Sequence, residues 1–200
     1  MDDNRGPVSI STQTVDDLLD TVAAETSAPG GGSVAALVTA LAAALTAMTA
    51  RFSREHWEDA PGAAAQADAL RARALPLADE DAAAYESYQV ARRLPKELDA
   101  AARDAAIGQA LSRAADVPLA IAETALDVAS LAAELAERGN PNLRGDAASA
   151  ALLAEAAVRA TANLVEINLA TREGDERVER ARELVEMARR ISRRVLEPAP

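Results

Sequence analysis

Residues 34–50 read VAALVTALAAALTAMTA, seventeen positions without a charge. Ala is the best intrinsic helix former, and no Gly or Pro interrupts the run. A membrane-spanning helix needs roughly 20 predominantly apolar residues. This run is shorter, and three Thr dilute it. We therefore read it as a central helix buried on all sides by other helices, rather than a membrane span.

The rest of the chain agrees with that choice. Of 200 residues, 52 are Ala, half are hydrophobic and only 2% are aromatic. Side chains this small make a core only where helices approach closely, and runs of β-branched or aromatic residues that would build strands are missing. The length suits one domain with a sizeable core. The expected fold class is all-α, a single-domain helical bundle over 1–200 with an ordered part of about 14–196.

Composition also removes chemistry. With no Cys, thiol nucleophiles, disulfides and Cys-ligated metals are excluded. A lone His56 excludes multi-His metal sites, so the expectation is no metal. A net charge of −11 with few aromatics speaks against nucleic-acid binding. The start, Met1-Asp2-Asp3-Asn4-Arg5, gives no sign of a signal peptide, and the lack of Cys fits a reducing, cytoplasmic setting.

Punctuation divides the chain into helices. Thr14 before VDDLL is an N-cap with acids in the first turn, starting a helix to about Thr26. Pro29-Gly30-Gly31-Gly32 breaks it, and Ser33 is the expected N-cap of the Ala-rich helix to about Arg54. After Pro61-Gly62 a long pattern runs to about Leu94, with a kink expected at Pro76. Pro95 ends it. A further helix spans Lys96 to Arg138 with a second kink expected at Pro118. Gly139-Asn140-Pro141-Asn142 is a stop-and-turn signal, followed by a helix from Gly145 or Asp146 to Thr171. Beyond Gly174, Asp175 to about Leu196 carries acid–base pairs at helical spacing and reads as solvated on one face.

Three constellations could carry chemistry. The glycine triplet opening an uncharged helix offers free N–H groups to an anion or carbonyl, or else simply makes a tight corner. Asp81, Tyr85, Tyr88 and Arg92 follow steps of four, three and four and share one helical stripe, while Asp79 lies ~200° away from Asp81 on the same wheel. That stripe is either a site or a decorated surface with Tyr bridging core and water. Asn140 and Asp146 flank a turn where capping is an ordinary role. Asn163 and Asn168 sit inside an apolar run, where a buried amide must find partners. His56, beside Trp57 in a charged turn, reads as surface.

Five ordered stretches resemble the cyclodeaminase/cyclohydrolase family of tetrahydrofolate enzymes: SAPGGGSVAAL (27–37), LADEDAAAYESY (77–88) with RLPK (93–96), VPLAIAETAL (117–126), GNPNLRGDAASAALLAEAAV (139–158) and INL (167–169). The resemblance implies an all-helical homodimer with a small-molecule folate substrate and no cofactor. It implies ring closure of 5-formiminotetrahydrofolate with loss of ammonia, or hydrolysis of 5,10-methenyltetrahydrofolate to 10-formyltetrahydrofolate. The family's implicated acid, the second Asp of its Asp-x-Asp-Ala segment, falls on Asp81. Substrate contacts are expected from Gly30, Gly31, Gly32, Ser33, Asp79, Tyr85, Tyr88, Arg92, Lys96, Asn140, Asp146, Asn163 and Asn168. Gly145 and Leu164 depart from the usual pattern and leave an alternative, a non-catalytic folate-binding or structural helical dimer.

Overall fold

The computed structural model describes residues 9–95, 99–170 and 174–197. Among them are seven α-helices and two single 3-10 turns, and no strand. The helices are α1 (Val15–Ala23), α2 (Gly31–Arg51), α3 (Ala60–Ala74), α4 (Leu77–Arg92), α5 (Ala100–Arg138), α6 (Arg144–Asn168) and α7 (Glu176–Leu196). The 3-10 turns are Ile10–Thr12 and Pro141–Leu143.

The centre of the bundle is the packing of α2, α5 and α6, with α3 laid on α2, α4 on α2 and α5, and α7 on α5 and α6. Small residues make this possible. Ala36, Ala42, Ala43 and Ala50 of α2, Ala125, Ala129 and Ala132 of α5, and Ala150, Ala151 and Ala154 of α6 are fully buried. Thr39, Thr46, Thr124 and Thr161 are buried beside them, and each hydroxyl donates to the carbonyl four residues back at 2.7–2.8 Å. A β-branched residue whose hydroxyl bonds its own helix fills a core position without needing a partner on another helix. By length and composition α2 could cross a membrane (mean hydropathy 1.8), yet 61% of its apolar window is buried within the bundle.

Several boundaries differ from the sequence expectations. Thr14 caps α1 through Asp17 N–H (3.2 Å), but the helix stops at Ala23 and buries no residue. The cap of α2 is Gly30 rather than Ser33, and the first ladder bond is Val34 N–H to Gly30 O. Ser33 lies inside the first turn with its side chain turned toward α4. Pro76 divides α3 from α4 instead of kinking one helix, because it offers no N–H and its ring displaces the carbonyl one turn back. Pro118 is buried within the 39 residues of α5 without ending it. The expected start at Lys96 and end at Thr171 lie outside the described residues. Within them α5 begins after Asp99, which caps Ala102 N–H, and α6 begins earlier than expected, at Arg144. Gly174 (φ 75°) takes the left-handed turn into α7, a conformation that favours glycine.

Candidate functional site

The start of α2 and the first turns of α4 face one another, and their contact sets the site. An atom added as Cβ at Gly32 would fall 2.4 Å from Asp81 Cγ and within 2.1–2.6 Å of both carboxylate oxygens. The carboxylate therefore occupies the space that any other residue at 32 would fill. Ser33 holds it there. Its buried hydroxyl lies 3.1 Å from Asp81 Oδ2 and 2.9 Å from Ala78 O, and its backbone N–H donates to the same carboxylate. A helix start is a natural place for negative charge, since its N–H groups are unpaired and its dipole is positive there.

Burial acts in the opposite direction. Desolvation is the largest influence on Asp81 and raises its pKa above the ordinary carboxylate value, while the two Ser33 hydrogen bonds pull it down. A carboxyl displaced upward beside a cavity is a candidate for proton transfer.

That cavity, about 310 Å³, is bounded by Ser27, Ala28, the three glycines at 30–32, Asp81, Tyr85, Pro118, Leu164 and Asn168, with Ala82, Ala114 and Ile167 completing its wall. One ionisable acid, Asp81, faces a largely apolar enclosure. Asn168 Nδ2 donates to Ala114 O at 2.6 Å, which fixes the amide between α5 and α6. A groove of about 1010 Å³ beside α7 is larger, but it is open and its charges pair with one another, as in Arg182–Glu166 (2.9 Å) and Arg180–Glu183 (3.4 Å). Among the described residues no group of three His, Asp or Glu is placed to hold a metal ion.

The expected stripe on α4 is present. Tyr85 lines the cavity and its ring lies 6.1 Å from that of Tyr88, with the Arg92 guanidinium 5.8 Å above Tyr88. A track of two aromatic rings and a cation thus leads out from Asp81. Lys96 lies outside the described residues.

Other expected site residues are elsewhere. Asp79 points to the N-terminal segment, accepting from Ser9 Oγ (2.5 Å) and Ile10 N–H (2.8 Å). Asn163 is exposed and lines a groove against α7, not the cavity with Asn168, so the apolar run around it marks a different face. Asn140 caps the turn at Asn142 N–H, and its side-chain amide donates to Phe52 O. Asp146 stands in the first turn of α6. Both sit at the Phe52 end of α2, about 30 Å along that helix from Asp81. His56 is exposed, as expected.

Sequence reasoning missed the apolar walls at Pro118, Leu164 and Ile167. Leu164, Ile167 and Asn168 follow helical spacing on one face of α6, so the signal was present, but nothing in the sequence tells a cavity wall from a packing face.

A family model described as formiminotransferase-cyclodeaminase matches residues 14–187. A methenyltetrahydrofolate cyclohydrolase of Methylorubrum extorquens is 35% identical over 164 residues, covering 78% of this chain and 79% of that protein. A formimidoyltransferase-cyclodeaminase of Sus scrofa is 36% identical over 156 residues, covering 74% of this chain but 29% of the pig protein. Among solved structures, formiminotetrahydrofolate cyclodeaminase from Thermotoga maritima superposes with a TM-score of 0.81 at 27% identity, covering 93% and 95% of the two chains.

Proposed function

Because this chain belongs to the formiminotransferase-cyclodeaminase family of folate one-carbon enzymes, we propose that it hydrolyses 5,10-methenyltetrahydrofolate to 10-formyltetrahydrofolate with Asp81 as general acid/base. The observation that carries the reading is the Asp81 carboxylate seated on Gly32 at the edge of a mostly apolar cavity. The relative from M. extorquens, of comparable length, bears the cyclohydrolase name, which favours hydrolysis over ammonia loss.

In this scheme the reduced pterin lodges between Tyr85, Pro118 and Leu164. Ionised Asp81 faces the cationic methenyl carbon and stabilises it. Water adds to that carbon while Asp81 takes one of its protons. The carbon–N5 bond then breaks, Asp81 returns the proton to N5, and the formyl group stays on N10. One proton is released overall. A positioned carboxylate of this kind typically contributes ~10²–10⁴-fold. The aminobenzoyl group follows the Tyr85–Tyr88 track, and Arg92 takes a glutamate carboxylate. Every step is proton transfer, addition or elimination, so no metal or redox cofactor is invoked.

A second reading is ring closure of 5-formiminotetrahydrofolate, favoured by the likeness to the T. maritima cyclodeaminase over nearly the whole of both chains. There N10 attacks the formimino carbon and protonated Asp81 supplies the proton with which ammonia departs. The raised pKa of Asp81 suits that acid role. The protein is taken to act as a homodimer.

The test is one assay following methenyl absorbance from either substrate, with ammonia measured in parallel. Enzyme-dependent loss of methenyl absorbance without ammonia supports hydrolysis, and ammonia release with methenyl formation supports the second reading. No turnover of either substrate, with no calorimetric binding of 5-formyltetrahydrofolate at millimolar concentration, overturns both in favour of a structural helical dimer.

A further inference from the structure

Pro118 stands inside α5 and cannot donate to the carbonyl four residues back, that of Ala114. Its ring also crowds that oxygen. Ala114 is only 7% exposed, so little water reaches the carbonyl, and a buried carbonyl without a donor costs as much as a lost hydrogen bond. The missing donor comes from α6. Asn168 Nδ2 reaches Ala114 O at 2.6 Å, from 54 residues further along the chain. Arg177 Nη1 of α7 donates to Ser112 O at 3.0 Å and braces the turn that precedes the proline. With both donors in place α5 runs on unbroken to Arg138.

This repair settles which way the Asn168 amide points. A carbonyl oxygen only accepts, so the atom facing Ala114 O must be the amide nitrogen. Oδ1 then lies on the other branch of the side chain. Among the described residues nothing donates to it, and it is not sealed in the core. Asn168 is half-buried and borders the cavity of Asp81, as do Ala114 and Pro118. Leu164 and Ile167, the other α6 residues there, are apolar, so this amide alone sets the polarity of the α6 wall.

We propose that Pro118 is a positioning residue: by withholding its N–H it leaves Ala114 O to capture the Asn168 amide, and so holds Asn168 Oδ1 as a fixed acceptor for an N–H of the bound ligand. The proposal rests on reading the cavity as the folate site, and a reduced pterin carries N–H groups along its ring edge. An amide free to turn would meet a donor or an acceptor at that place equally well. Held by Ala114 O, it selects a ring edge that brings an N–H and disfavours one that brings a carbonyl or bare ring nitrogen.

Pro118→Ala restores an N–H at position 118, which takes Ala114 O back into the helical ladder and frees the amide. Alanine is the better helix former, so this variant should fold with unchanged circular dichroism. The chain has five Asn, so Asn-selective 15N labelling, with Asn168→Ala as the reference, identifies the Asn168 side-chain signals by NMR. In the ligand-free wild type one of its amide protons should exchange slowly; in Pro118→Ala both should exchange as in an exposed amide. Asn168→Ala leaves the carbonyl without a donor and should melt below wild type. Adding Pro118→Ala should then raise the melting temperature by more than it does in the wild-type background.

Calorimetry with 5-formyltetrahydrofolate reads the consequence for binding. Pro118→Ala and Asn168→Ala should each weaken it ~3–10-fold, the weight of one hydrogen bond, and the double variant should bind little more weakly than Asn168→Ala alone. An unchanged Asn168 signal in Pro118→Ala, equal melting shifts in the two backgrounds, or binding losses that multiply in the double variant overturn the proposal, since the proline then acts only as a piece of wall. A released amide in Pro118→Ala beside a wild type that does not bind the folate would instead strike the reading of the cavity and leave the hold of Pro118 on Asn168 supported.

Discussion

At Gly32 one absent carbon makes room for a carboxylate. Gly32→Ala would set its Cβ 2.1 Å from Asp81 Oδ1, so the acid must swing away. Turnover should fall by at least ~10²-fold if that acid is in use, and overpacking should cost about 1–3 kcal/mol, read as a lower melting temperature. Asp81→Asn separates the two effects, since it keeps the shape and removes the proton-transfer group. Turnover should drop ~10²–10⁴-fold. The stability change has a definite sign. The folded pKa of Asp81 is raised, so its stabilising contribution is full below the unfolded value and is lost as pH rises through the folded one. The Asn variant should therefore melt at or above the wild-type temperature at about pH 7, with the gap closing on acidification. Ser33→Ala removes a hydrogen bond to the ionised form, so the Asp81 limb of the pH–rate profile should move further upward.

Among the elements, α4 divides its labour between neighbouring acids. Asp81 faces the cavity, while Asp79 fastens the segment before α1 through Ser9 and Ile10, the latter buried in the core. Asp79→Ala should destabilise the fold by about 1–3 kcal/mol while leaving kcat close to wild type, as measured by thermal melting and steady-state assay. The wheel already separated these acids on the sequence, and the stripe of Asp81, Tyr85, Tyr88 and Arg92 was legible for the same reason: helical period places residues on faces. It could not say which face meets a cavity. The Ser33 boundary was missed because a capping serine and a serine reaching another helix look alike in one dimension, and only the approach of Ala78 and Asp81 distinguishes them. The Pro76 break was misjudged in degree, since the local rule gives a disrupted ladder but not whether the two halves remain one helix.

Over the whole molecule, a core of Ala trades side-chain volume for close helix approach. Ala151 of α6 is fully buried in the larger core cluster. Ala151→Leu should cost at least about 1–3 kcal/mol, read by thermal melting, because three extra carbons have no void to enter. Exposed ion pairs along α7, such as Arg189–Glu186, add little to this balance, since solvent screens them.

By itself the sequence determined the all-helical class, the positions of most turns, the family and the stripe of α4 that carries Asp81. Each of these follows from local propensity or from residues close together along the chain. Tertiary structure alone decided that Asp81 lies on Gly32, that Leu164 and Pro118 wall the cavity, and that Asn140 and Asp146 stand a helix length away. Those facts depend on which faces of separate helices meet, and helical period fixes directions around an axis without fixing what lies across from them.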